Sequence, residues 1–288
     1  MFGHFQFLGG SSVRTNNVTM KFSAIAAVVA ATAASHAFMA FDTASNAVYT
    51  VGQEYIQVGT PAGNQTAATN GLNGGFGFDK WLRGGYGTPP NNGTTLITNI
   101  NSSFNMGDQQ FGIRSGPGGI EGADARRNLL TPLAVGDSLV WSMMAGGNGA
   151  GTANTQGEFG VEIRSELLAN PGRDMMNIIG ETGRNWRVFR DGGTVESTLA
   201  VTAGQRVDVT MTVLANDMFE VTFAAFGGAS STVGGRFIST GQTVKTAQFY
   251  AFGTDGDFYV NNIGAVPEPA TMVVLGGLAA VALRRRRK

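Results

Sequence analysis

The 288-residue chain has no cysteine and only two histidines, and these absences exclude more chemistry than any motif supplies. Without cysteine there are no disulfide staples, thiol nucleophiles or thiolate metal sites, so an exported chain must be held together by its core. His4 and His36 both fall in an N-terminal stretch that reads as a targeting segment. The remaining body lacks imidazole, which excludes a Ser-His-Asp triad, a histidine-ligated metal and histidine acid-base catalysis. Charge is also scarce, at 14% of residues, and balanced at 20 basic against 20 acidic. Uninterrupted apolar runs occur only near the two ends.

At the N-terminal side, Lys21 precedes an apolar run from Phe22 to Thr32, followed by Ser35-His36-Ala37. A basic residue, a short apolar region and a small-x-small site make a secretory signal peptide, with cleavage expected after Ala37. Met20-Lys21 has the look of a natural start, so residues 1–19 are expected to be an over-extension of the reading frame.

The C-terminal side has three parts. Val266-Pro267-Glu268-Pro269 is a stiff break in which the prolines oppose a helix. Ala270 to Leu283 follows as an uncharged apolar run of 14 residues, a helix of about 21 Å. That is shorter than the ~30 Å hydrocarbon core, with snorkelling arginines able to extend its reach. Gly276-Gly277 suits close helix packing. Arg284, Arg285, Arg286, Arg287 and Lys288 then form a basic stop expected on the cytoplasmic side.

This tail resembles the PEP-CTERM sorting signal of exported bacterial proteins, with Pro267, Glu268 and Pro269 matching the motif that names it. The resemblance implies transient residence in the inner membrane, cleavage by an exosortase-type membrane protease near the motif, and release to the cell surface or beyond. The alternative reading of the same tail is a permanent membrane anchor.

Between the ends lies a body expected to span residues 38–265, with 266–288 as the sorting tail. Setting aside Arg14, Lys21 and the basic stop leaves 13 basic residues, and setting aside Glu268 leaves 19 acidic ones. A net charge of −6 disfavours nucleic acid as a partner. Arg126-Arg127 and Arg184 to Arg190 read as solvated loop or strand faces. The Gly116-Pro117-Gly118-Gly119 loop has no phosphate-binding context, and residues 115–128 around it read as loop.

The body reads as many short strands. Residues 38–59 alternate weakly. Phe76 to Leu82 is an aromatic patch expected to be a core strand. Residues 94–99, 110–114, 138–145, 159–168 and 175–180 read as further strands. Asp191-Gly192-Gly193 and Asn216-Asp217 signal two hairpins, the second joining Val207–Val213 to a strand begun at Phe219. Phe237-Ile238, 248–252 and 258–263 complete the set. No amphipathic helix or long repeat intervenes, so the expected fold is all-β, an antiparallel β-sandwich of jelly-roll or concanavalin-like form. A signal peptide is expected before it and a single membrane helix after it. The stretch Asp257 to Ile263 is similar to the closing strand of concanavalin-like and carbohydrate-binding sandwiches.

Candidate sites are few. Trp81 and Tyr86 offer aromatic faces for glycan contact, against the plainer reading of Trp81 as core. Asp255 and Asp257, near Asn261 and Asn262, carry oxygen ligands for calcium, though Asp-Gly-Asp is also turn chemistry. Glu158, Glu162 and Glu166 share a strand face with Arg164, but residues four apart on a strand stand about 13 Å apart, too far for a glycosidase pair. An acid at position 160 or 164 would suit that chemistry, and Gly160 and Arg164 are there instead. The expectation is a non-enzymatic surface or matrix protein whose body binds extracellular polysaccharide or simply forms part of the coat. A secreted carbohydrate-active enzyme using carboxylates is the alternative. Intact-mass measurement of the exported form should find a chain that begins at Phe38 and has lost its basic terminus.

Overall fold

The computed structural model describes residues 38–53, 71–82, 85–86, 94–99, 106–114, 122–146, 158–165, 174–252 and 257–268. The expected signal peptide, the apolar segment of the tail, Glu166 and Asp255 lie outside them. The described residues contain strands and no helix. In chain order the strands are β1 (Ala40–Asp42), β2 (Gly85–Tyr86), β3 (Thr94–Thr98), β4 (Gln110–Arg114) and β5 (Gly122–Asn128). Then follow β6 (Ser138–Ala145), β7 (Glu158–Arg164), β8 (Asp174–Gly180), β9 (Asn185–Arg190) and β10 (Gly193–Ala200). The last five are β11 (Arg206–Val213), β12 (Met218–Ala225), β13 (Ser230–Arg236), β14 (Thr246–Phe252) and β15 (Asp257–Val266).

They form two antiparallel sheets. One runs β13-β12-β11-β6-β15-β4-β3, with β1 also paired to β15, and the other runs β10-β9-β8-β7-β14-β5-β2. The period-two pattern of each strand decides which side chains enter the space between them. Trp141, Val209, Val221 and Phe258 enter from the first sheet, while Phe159, Val161, Ile178, Val188 and Phe249 belong to the second, and all are buried. Aromatic rings lock the layers together. Trp186 stacks on Phe223 at 5.8 Å and 14°, and Trp141 meets Phe249 edge-on at 6.3 Å.

Both expected hairpins form. Gly193 pairs with Arg190 across the Asp191-Gly192 turn. Asn216 and Asp217 adopt φ of 59° and 58° between β11 and β12, the paired left-handed geometry that matches strand twist.

Other expectations are corrected. Within 38–53 only Ala40–Asp42 is a strand. Phe76–Leu82 is no continuous strand but makes isolated bridges from Phe76 to Phe41, Phe78 to Leu129 and Leu82 to Arg126. Residues 122–128, read as loop, are β5, hidden because Asp124, Arg126 and Arg127 interrupt the apolar signal of Ala123 and Ala125. Phe237-Ile238 follows a strand, β13, instead of forming one. β15 runs past Ile263 through Gly264-Ala265 to Val266, bulged between Asn261 and Gly264, where Asn262 has φ 51°.

Arg127 occupies the interior, with a fully buried side chain. It donates to the Asp42 carboxylate, to the Asp79 carbonyl and to Asn73 Oδ1, the last at 3.1 Å. Its guanidinium lies 4.9 Å from the Trp81 ring and 5.1 Å from the Phe78 ring. Tyr49 donates to Asp42 at 2.7 Å, and the Trp81 indole donates to Tyr49 at 3.1 Å. Burial pushes the Asp42 carboxyl up against the pull of Arg127, and burial depresses Arg127. The solvated face expected for Arg126-Arg127 is thus corrected: both are buried, and β5 turns Arg127 inward, where these partners offset part of its desolvation while Arg127 Nε and Asp42 Oδ1 make no hydrogen bond.

Arg127→Met leaves Asp42 buried and unpaired, and should cost about 3–5 kcal/mol in urea unfolding. The double change Asp42→Asn with Arg127→Met should cost less than the sum of the single changes, by at least about 1 kcal/mol.

Candidate functional site

The outer face of the β7-containing sheet is polar, and strand register places its side chains in cross-strand rows. One row runs Arg126, Gln248, Glu162, Asn177 and Phe189; the next runs Asp124, Tyr250, Gly160, Ile179 and Arg187. These positions alternate with the apolar residues facing the core, so each strand's binary pattern builds core and polar face together.

The groups are bonded to one another. Arg126 reaches Asp124 Oδ2 through Nε at 3.1 Å and a terminal nitrogen at 2.9 Å, both residues being buried. Arg164 donates to Gln248 Oε1 at 2.8 Å and lies 3.5 Å from Glu162 Oε2. The Tyr250 hydroxyl sits 3.2 Å from both Glu158 Oε1 and Asn177 Oδ1. Burial, followed by the Glu158 charge, pushes the Tyr250 phenol well above its usual value, so it stays a neutral donor. Towards β9 the face opens: Phe189 is 44% exposed, and Arg187 meets Glu181 at 3.2 Å.

Gly160 is the constrained position of this face. A Cβ there would stand 1.9 Å from the Ile178 carbonyl oxygen and 2.9 Å from Tyr250 Oη. The strand therefore has no room for a side chain between Glu158 and Glu162.

The expected solvated Glu-Arg-Glu face is corrected in one respect. Glu158, Glu162 and Arg164 do share the face, but Arg164 is 2% exposed and engaged. Sequence reasoning missed Asp124, Arg126, Asn177, Gln248, Tyr250 and Phe189 as parts of one surface. The available signal was polar alternation within β5 and β14, which became a site only once those strands flanked each other.

The other sequence candidates lie elsewhere. Trp81 is completely buried against Phe111 and Arg127, so its ring is no platform for a sugar. Tyr86 lies in β2, opposite Gly122. Asp257 receives Arg114 Nε at 2.7 Å on Oδ1, and on Oδ2 it receives a second Arg114 nitrogen at 3.1 Å and the Tyr259 hydroxyl at 3.2 Å. Asn261 Oδ1 accepts from Ala44 N–H at 2.9 Å and Thr43 Oγ1 at 3.1 Å, and its Nδ2 donates to the Met106 and Gln109 carbonyls. These oxygens already serve the fold, and among the described residues no group of three or more His, Asp or Glu could hold a metal ion.

The sorting motif joins the body directly. β15 ends at Val266, paired with Ser138, and Glu268 N–H donates to Asp137 Oδ1 at 3.1 Å.

Residues 265–288 match the PEP-CTERM protein-sorting motif. No curated protein matches the chain. Among solved structures it is similar to the globular domain of T. cruzi calreticulin, at 11% identity and TM-score 0.44, over 72% of this chain and 94% of that one. A seed lectin of Lotus tetragonolobus gives 7% identity and TM-score 0.41, over 65% and 92% of the two chains. An immunostimulatory antigen and pseudo β-1,3-glucanase of Mycobacterium tuberculosis gives 13% and 0.39, over 65% and 91%. At such scores the likeness carries no statement about ligand, metal or activity.

Gly160→Ala should destabilise the body by about 1–3 kcal/mol or more through overpacking, whereas Tyr250→Phe should cost only about 1 kcal/mol. Urea unfolding followed by tryptophan fluorescence measures both.

Proposed function

We propose that this is an exported cell-surface or extracellular-matrix protein, processed by an exosortase at its sorting motif, whose body binds extracellular glycan without transforming it. The sorting motif supports the address. The observation that carries the binding is the β9 side of the polar face of the β7-containing sheet, where the partly exposed Glu162, Asn177 and Arg187 lie in register beside the exposed Phe189, while Asp124, Arg126 and Gln248 are buried. Sugars are held by such a combination of fixed donors and acceptors with an apolar ring nearby.

Two features favour binding over hydrolysis. Asp124 and Glu162 are engaged with arginines at 2.9 and 3.5 Å instead of standing free across a cleft. Gly160 excludes a side chain from the position where a second acid two residues from Glu158 or Glu162 would stand.

A glycan array probed with the exported form should give defined binders, and Phe189→Ala or Arg187→Ala should weaken them about tenfold, as loss of an interfacial aromatic or arginine does. Reducing-sugar release that disappears in Glu158→Gln would replace this reading with a carbohydrate-active enzyme. An exported form that keeps residues 269–288 would make the protein a permanently anchored one.

A further inference from the structure

The sorting motif has no linker. Its matched residues start at Ala265, which is buried, pairs with Leu139 and accepts a hydrogen bond from Met39 N–H at 2.7 Å. Val266 pairs with Ser138. Pro267 has no N–H and ends the ladder, so the next backbone donor is that of Glu268.

That donor is taken by the body. Asp137 Oδ1 accepts it at 3.1 Å, while Oδ2 accepts Ala134 N–H at 2.8 Å. The turn carrying Asp137 is itself fixed, because Gly136 N–H donates to the Val213 carbonyl at 2.8 Å and Val213 N–H to the Asp137 carbonyl at 3.0 Å. Gly136 has φ +92°, and a Cβ there would lie 2.6 Å from Glu268 Cδ and 2.8 Å from its Cγ. The glutamate side chain thus rests on the bare backbone of residue 136.

We propose that the Ala134–Asp137 turn is a docking site for this chain's own Pro267-Glu268 segment, and that docking delays proteolytic processing until the segment is lifted off. The claim rests on the processing reading above. A protease cleft takes its substrate as a free extended strand, and here the residues before Pro267 are committed to the sheet. The motif's glutamate, Glu268, is held through its backbone N–H by Asp137. Lifting it breaks one charge-assisted hydrogen bond and leaves the β15 pairing intact.

The test uses the full-length precursor, with two variants. Asp137→Ala removes the acceptor; a Gly-Ser-Gly-Ser insertion between Val266 and Pro267 frees the motif without altering the body. In detergent, hydrogen exchange should find the Glu268 amide protected in the parent chain and unprotected in Asp137→Ala, with the Leu139 amide unchanged. In cells carrying an exosortase, pulse-chase with intact-mass readout should show both variants losing the tail about three- to tenfold faster, the factor expected for one such bond. A Glu268 amide that exchanges freely in the parent chain, or an insertion variant processed no faster than it, overturns the docking. A protected amide with the tail retained in every variant overturns the processing reading, and the delay with it.

Discussion

One buried cation organises the sandwich. Arg127 leaves β5 of one sheet and bonds Asp42 on β1 of the other, so a single charge pair crosses the layer between them. Its partners are linked: Asp42 is also bonded by Tyr49, Tyr49 by Trp81, and the guanidinium lies over two rings. An ion pair in a dry interior rarely stabilises more than apolar packing would, but it strongly penalises arrangements that break it. β1 carries only three residues, and this cluster, more than its short ladder, fixes its place.

That placement matters for the ends of the body. β1 pairs with β15, Ala40 opposite Ala265, and Phe38 lies over Gly264. The expected new N-terminus after signal cleavage therefore lies beside the strand that runs into the sorting motif. Asn261 ties the same strand to residues 43–44 and to the carbonyls of Met106 and Gln109. The address label thus emerges from a strand bonded on both sides. Folding of the body and display of the motif are then coupled events, because β15 must be placed before Asp137 can meet Glu268.

The polar face follows a different logic. Its charges are paired within the sheet, Asp124 with Arg126 and Glu162 with Arg164.

Much of this was legible in the sequence. Alternation of Val207, Val209 and Met211 with Asp208, Thr210 and Thr212, and Asn216-Asp217 after it, determined β11, its turn and β12, because period and turn chemistry are local properties. The Pro-Glu-Pro break, apolar run and basic stop determined the sorting motif for the same reason. Absence of cysteine and body histidine removed whole reaction classes without any fold. The tertiary structure alone decided what Arg126 and Arg127 do: two adjacent arginines in an unremarkable stretch became, on opposite faces of β5, one member of a polar surface and one interior clamp. It also decided that β15 reaches Val266 and that Asp137 holds Glu268, residues separated by 131 positions. A charged residue is legible as exposed only on average; its actual environment is set by which distant strands supply partners, and no local pattern encodes that.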